Sequence, residues 1–373
     1  MKIHRVKAGE DTGSISSLYG ISEESLKAYN NLSDDRVLEG DELLILIPTR
    51  TYTPRPKDCT EGISARFGIP TSSLMQNNPG LSERKLPTTL ALKYPTSPYG
   101  AAAANGYFYK GCSTARLQEV IPYLTYVTFA SASLTDKGIH KIFDCDEAAR
   151  ICKDRGAVPL IKFFDKRDIT KDGHKSIEDM IKFASRGGFS GISLDLSDFP
   201  ADKGTAEYLL ELRRAMIGCD MILITEIAGR SYFPLVDYSD GCTLLTKPGL
   251  SARELRGELS EFSDESESIK TLVELPVFAE CNEEFIGINE ALALARGSDV
   301  RIETDKNTLI SSFEHKRKGR IRYPSLSYIK ALLDCVNEYG FMGISFDIMR
   351  VPEVYLQMFG SLFKVHKSYS SVR

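Results

Sequence analysis

Three polar side chains occupy alternate positions in the apolar run Gly188–Phe199: Ser193, Asp195 and Ser197. Side chains two apart on a strand share a face, so the run presents one carboxylate flanked by two hydroxyls. Asp195 could do carboxylate chemistry there. Neither serine could donate a proton near neutrality as a carboxylic acid raised to about pH 6 does. Asp198, one residue on, should face the other way. Other capable groups end comparable runs: Glu226 after Ile224-Thr225, Lys247 after Leu244-Leu245-Thr246, Glu280 at the end of a seventh run and Asp347 beside Phe346 in an eighth.

Elements able to gather these groups follow from the hydrophobic pattern. From residue 105, short apolar runs fall near 106–110, 123–131, 157–164, 188–197, 220–227, 241–246, 270–279 and 340–348. Amphipathic stretches such as Asp146–Cys152 and Tyr208–Leu212 lie between several of them. Eight buried strands with intervening helices over roughly 250 residues predict an α/β fold, a parallel (β/α)8 TIM barrel whose working face is the carboxyl ends of its strands. The interval 280–325 exceeds a normal strand-to-helix loop and predicts a small inserted subdomain. Its segment His315–Arg322 is the densest positive stretch, read as a solvated loop with contact to an anionic polymer as the alternative.

The first hundred residues contain a repeat. Ile15-Ser16-Ser17-Leu18-Tyr19-Gly20-Ile21 returns as Ile63-Ser64-Ala65-Arg66-Phe67-Gly68-Ile69, Leu26 returns as Leu74 and Asn30 as Asn78. Each copy predicts a strand holding Val6 or Tyr52, a helix stopped by Gly20 or Gly68, a helix opened by Ser22 or Thr71, and a closing strand. This βααβ order resembles the LysM module. The resemblance implies binding of chains containing N-acetylglucosamine, as in peptidoglycan and chitin, in a groove between the first strand-to-helix turn and the second helix-to-strand turn. It makes Glu10, Asp11, Asn30, Asp58 and Asn78 candidate binding residues. The turns read Gly9-Glu10-Asp11 and Lys57-Asp58-Cys59, where the family's text is Gly-Asp-Thr; only Asp58 keeps the aspartate. Expected boundaries are residues 1–49 and 50–95 for the two modules, 96–104 for a linker ending in four alanines, and 105–373 for the barrel.

The run Gly188–Phe199 resembles the fourth strand of family-18 glycoside hydrolases, which normally reads Asp-Gly-x-Asp-x-Asp-x-Glu. Pro122-Tyr123-Leu124-Thr125-Tyr126 and Glu338–Ser345 add to the likeness. With the LysM pair, nearly the whole chain resembles the cortical fragment-lytic enzymes of spore-forming bacteria, which act on cortex peptidoglycan in germination. In that family the final Glu protonates the glycosidic oxygen and the preceding Asp orients the substrate's acetamide, a substrate-assisted route. The resemblance puts Asp195 at the orienting position, Ser197 at the acid, Lys247 at an acetamide-holding tyrosine, and Phe346-Asp347 at an aromatic floor. Without the acid, a rate loss of about 10²–10⁴ is expected. Asp195, Lys247 and Asp347 are expected to form a charge network plugging the barrel top; Glu226 or Glu280 as a relocated acid is the alternative.

Composition bounds the rest. The chain has 373 residues, 47 basic against 51 acidic side chains, 42% hydrophobic residues and no tryptophan. That balance gives no electrostatic footprint for nucleic acid, and no run of about 18 apolar residues offers a membrane span. Eight cysteines without a CxxC pair read as packing thiols of a reducing compartment, so neither a metal site nor a cofactor is expected. Met1–Lys7 lacks an apolar signal core, which predicts synthesis in the cytoplasm, and the resemblance adds a mother cell and association with spore coat or cortex. The expected function is binding of spore peptidoglycan by a protein with an inactive barrel. The alternatives are an active hydrolase and a coat-assembly scaffold that contacts spore-coat proteins.

Overall fold

The computed structural model describes the chain except residues 33–35, 79–80, 82–85, 88, 136–137, 166–172, 198, 248, 263–267, 283 and 368–373. Asp198 therefore lies outside the described residues. The chain divides into two compact units: Met1–Tyr99 with Phe278–Ala331 and Pro352–Phe363, and Gly100–Val277 with Leu332–Val351 and Lys364–Arg373.

In the first unit the repeat appears twice. Strand Lys2–Arg5, helices Thr12–Tyr19 and Glu23–Tyr29 and strand Glu42–Ile45 are followed by Arg50–Tyr52, Thr60–Phe67, Thr71–Asn77 and Leu90–Lys93. Each pair of strands is antiparallel. Gly20 and Gly68 end the first helix of each copy in the left-handed region, where a side chain would be strained. Ser22 caps its helix, accepting from Ser25 N, but Thr71 lies inside the helix and Pro70 stands at the cap. Each copy closes a small core, Ile15 and Leu26 in the first and Ile63 and Leu74 in the second, all four inaccessible to solvent.

The inserted segment is a five-stranded antiparallel sheet of Phe278–Cys281, Glu284–Gly287, Glu303–Thr304, Ile310–His315 and Gly319–Pro324, with helix Ile288–Ser298. It lies where the small inserted subdomain was expected and belongs to the same compact unit as the repeats. Within that unit the Glu42 carboxylate accepts from Ser327 N at 2.8 Å and Ser327 Oγ at 2.9 Å. Ile302 N also donates to Glu39 O, and a Cβ on Gly40 (φ +87°) would sit 1.9 Å from the Ile302 carbonyl oxygen.

The second unit is the barrel. We label its strands β1 (Ala101–Phe108), β2 (Tyr126–Thr135), β3 (Val158–Asp165), β4 (Gly191–Asp195), β5 (Ile222–Ile227), β6 (Gly241–Leu244), β7 (Thr271–Glu274) and β8 (Gly343–Asp347). Each pairs in parallel with the next, and β8 closes on β1. The eight expected runs are these eight strands. The alanines expected in a linker instead begin β1, against which β8 packs closely: a Cβ on Gly343 would fall 1.8 Å from the Ala103 carbonyl oxygen. All eight cysteines are free thiols, five of them buried.

Candidate functional site

The carboxyl ends of the barrel strands carry a polar cluster. Lys162, in the otherwise apolar β3 run Leu160–Phe164, points inward with its side chain 6% exposed. Its ammonium lies 2.5 Å from Glu226 Oε2 on β5 and 3.1 Å from Asp195 Oδ2 on β4. The other oxygen of Glu226 accepts from Ser193 Oγ at 2.8 Å, so both ends of this buried carboxyl are engaged. Parallel register sets Asp195 beside Glu226 across the β4–β5 pair, which is why one cation reaches both. Burial opposes the charge on Lys162, but Glu226 and Asp195 outweigh it and hold the ammonium above its ordinary pKa.

Asp195 is held by its own strand as well. Its Oδ1 accepts from Ser197 N at 3.0 Å and from Ser197 Oγ at 2.5 Å. Burial pulls the carboxyl up, yet Lys162 and the Ser197 bonds prevail and keep it below the usual carboxylate range. Strand β4 ends at Asp195, and Ser197 is exposed, its hydroxyl turned back on Asp195.

Other expected members of the cluster lie elsewhere. Lys247 is exposed beyond the end of β6 and pairs with Glu258 at 3.1 Å, so the network of Asp195, Lys247 and Asp347 does not form. Lys162 supplies the cation instead; a buried lysine needs carboxylate partners and β3 faces two. Glu280 lies outside the barrel, in the inserted sheet, 3.6 Å from Arg322. Pro276 marks why: a proline cannot continue a central strand, so β7 stops at Glu274. Asp347 ends β8, accepting from Met349 N at 2.8 Å with Arg350 at 3.7 Å, and burial raises its pKa. Phe346 alternates with it and is fully buried, so it provides no floor for a sugar ring.

Glu274 was not singled out from the sequence, although it ends an apolar run as Glu226 does. Its Oε2 accepts from Thr246 N at 3.2 Å. Burial, with Glu226 and Asp347 nearby, outweighs that bond and Lys162 and pushes the carboxyl up to about 7. Two tyrosines complete the cluster: Tyr107 on β1 and Tyr109 just beyond its end stack at 6.1 Å between centroids, and Lys162 Nζ lies 5.7 Å from the Tyr107 ring. The half-exposed ring of Phe164 follows on β3. Below them, Ser345 Oγ and Asn105 Nδ2 are buried without a hydrogen-bond partner among the described residues.

In the repeats the candidate residues hold turns and strands together. Glu10 Oε2 accepts from Lys7 N and from His4 Nε2, each at 2.8 Å. Asp58 does the same 48 positions on, accepting from Arg55 N at 2.7 Å and the Tyr52 hydroxyl at 2.6 Å, with Arg66 at 3.2 Å. The Lys7 amide above all lowers the pKa of Glu10, and the Tyr52 hydroxyl above all that of Asp58. Asp11 is exposed and caps the first helix through Ser14 N at 2.7 Å. Asn30 and Asn78 are buried. Each amide donates to two backbone carbonyls, Leu26 and Leu44 or Leu74 and Ala91, and its oxygen accepts from the N–H of Leu44 or Ala91 at 2.7 Å. The expectation that they touch ligand is corrected: their hydrogen-bonding capacity is used in joining the second helix to the closing strand.

Among the described residues no group of three or more His, Cys, Asp or Glu side chains is arranged to hold a metal ion, and no helix is long and apolar enough to cross a membrane.

Comparison with known proteins follows the same division. The LysM domain family matches residues 4–46. A putative sporulation-specific glycosylase of Bacillus subtilis, YdhD, is 28% identical over 141 residues, 37% of this chain and 33% of that protein. The match thus spans about a third of the length of this curated relative. The spore cortex-lytic enzyme SleL of Bacillus cereus superposes with a TM-score of 0.77 at 17% identity, covering 98% of this chain and 99% of that one. The SleL of Bacillus megaterium gives 0.75 at 16%, covering 98% of both chains. A chitinase from Chromobacterium violaceum gives 0.61 at 16%, covering 70% of this chain and 98% of its own. Residues 4–46 are therefore a LysM domain, and the chain as a whole has the fold of spore cortex-lytic enzymes, its barrel that of family-18 chitinases.

Proposed function

We propose that this protein binds N-acetylglucosamine-containing glycan, the peptidoglycan of the spore, through its LysM repeats, and that its barrel holds such a chain without cleaving it. The observation that carries the second half is the Lys162 clasp. The one carboxylate at a family catalytic position, Asp195, is tied to Lys162 and to Ser197, and the acid position offers only a hydroxyl. Glu226 does not serve as a relocated acid in this reading, because both of its oxygens are engaged below the mouth. A sugar seated above would meet an internally neutralised pair instead of a proton donor aimed at its glycosidic oxygen.

Two measurements test this. Sedimentation with purified spore peptidoglycan should retain the protein, and failure to do so removes the glycan reading and favours a coat-assembly role with spore-coat proteins as partners. Product analysis of cortex fragments should show no new reducing ends for the wild type, Ser197→Glu or Glu226→Gln. Turnover by the wild type that Glu226→Gln abolishes would establish a hydrolase with a relocated acid.

A further inference from the structure

A cavity of about 30 Å³ lies inside the first compact unit, where the closing strand of the first repeat meets the inserted sheet and its helix. Roughly 10–15 Å³ admits one water, so this space holds two or three waters or one molecule as small as glycine. Its walls carry opposite charges. Asp41, just before strand Glu42–Ile45, and Arg296, on helix Ile288–Ser298, both line it, and the field of Arg296 reaches Asp41, yet the two make no direct ion pair. Both keep hydrogen-bonding capacity. Asp41 Oδ1 accepts from Glu42 N at 2.9 Å, while Oδ2 has no partner among the described residues. Arg296 gives Nη1 to Asn31 O at 3.5 Å, and its Nε is buried without a hydrogen bond among the described residues. Tyr323 on strand Gly319–Pro324, 5% exposed, adds a third unused group: Ser311 beside it is engaged with Thr304 Oγ1 at 2.9 Å, and the Tyr323 hydroxyl makes no hydrogen bond among the described residues.

We propose that this cavity is a binding site for a small zwitterion, an α-amino acid as small as glycine, its ammonium donating to Asp41 Oδ2 and its carboxylate accepting from the Nε edge of Arg296 and the Tyr323 hydroxyl. Buried polar groups are as a rule hydrogen-bonded, so unused donors and a carboxylate oxygen around one space point to a molecule that completes them all. The charges select its class. A lone anion would meet Asp41 as well as Arg296, a lone cation the reverse, and a molecule with one end of each sign suits both walls. The other groups of the wall are already matched: Glu42 is paired with Arg5 at 2.9 Å, and Tyr355 donates to Pro324 O at 3.0 Å. Burial pushes Asp41 up to about 6, with Arg296 opposing the rise and Glu42 adding to it, so the carboxylate is ionised above that value. No residue of the barrel mouth takes part, and the site is independent of the glycan reading.

The full chain is titrated with ¹³C-labelled glycine near neutral pH. Isotope-filtered NOEs should join the glycine methylene to the methyls of Leu292 and Val354, which line the cavity. Asp41→Asn and Arg296→Gln each remove one charge-assisted bond and should weaken binding about tenfold or more. Acetate and methylammonium, each carrying one half of the charge pattern, should compete with glycine at least about tenfold more weakly than unlabelled glycine does. Both the NOEs and the competition are read on the wild type, so they decide the matter even where a variant fails to fold. Absence of binding up to about 10 mM glycine overturns the proposal and leaves a cavity for water only. Equal competition by acetate or by methylammonium overturns the zwitterion, and glycine contacts that miss Leu292 and Val354, or that survive both substitutions unchanged, overturn the site.

Discussion

Lys162→Met tests the clasp directly. The substitution keeps a chain of similar length and removes the ammonium that lies 2.5 Å from Glu226 and 3.1 Å from Asp195. Asp195 retains Ser197 and partial exposure, so its loss is small. Glu226, 2% exposed, is left with the Ser193 hydroxyl as its donor. Breaking a buried pair by deleting one partner costs about 3–5 kcal/mol, and the surviving Ser193 bond puts the expected value near 3. The assay is urea denaturation near neutral pH, followed through hydrogen exchange of barrel amides so that opening of the repeats does not enter. Lys162→Met combined with Glu226→Leu should recover most of the loss, since an apolar replacement of both partners leaves no charge buried. A single-variant cost below about 1 kcal/mol would refute the claim that Lys162 neutralises the mouth.

Three further outcomes follow from the same geometry. Glu274→Gln should stabilise the barrel at alkaline pH: burial raises this carboxyl from 4.5 to about 7, so wild-type stability falls through that window by roughly 3 kcal/mol, and urea midpoints of variant and wild type should agree near pH 5 and separate near pH 8. Asn30→Ala should cost the first repeat about 1–3 kcal/mol by stranding the buried backbone groups of Leu26 and Leu44, seen as faster exchange at the Leu44 amide, with Asn78→Ala doing the same at Ala91. Ser197→Glu should not produce chitooligosaccharide cleavage, because Asp195 stays clasped by Lys162 and cannot orient an acetamide. Released oligosaccharide from that single variant would contradict the silent barrel.

The sequence alone determined the repeat, the eight barrel strands and the Asp195 register, because those rest on local periodicity: Gly20 and Gly68 stop helices by backbone conformation, and Ser193 and Asp195 share a face by the pleat. Glu280 was expected to end the seventh barrel strand, but Pro276 cuts β7 at Glu274 and leaves Glu280 in the inserted sheet. Only the tertiary structure decided which charges meet. Lys162, Asp195, Glu226 and Glu274 stand on four strands, and a parallel barrel sets their heights by stagger, which no single strand encodes. The same holds for Asn30 and Asn78, whose place in the repeat reads as a binding mark until the closing strand supplies the backbone groups that consume their amides. Lys247 was misplaced for the corresponding reason: strand β6 ends at Leu244, and beyond the last ladder bond alternation no longer dictates where a side chain points.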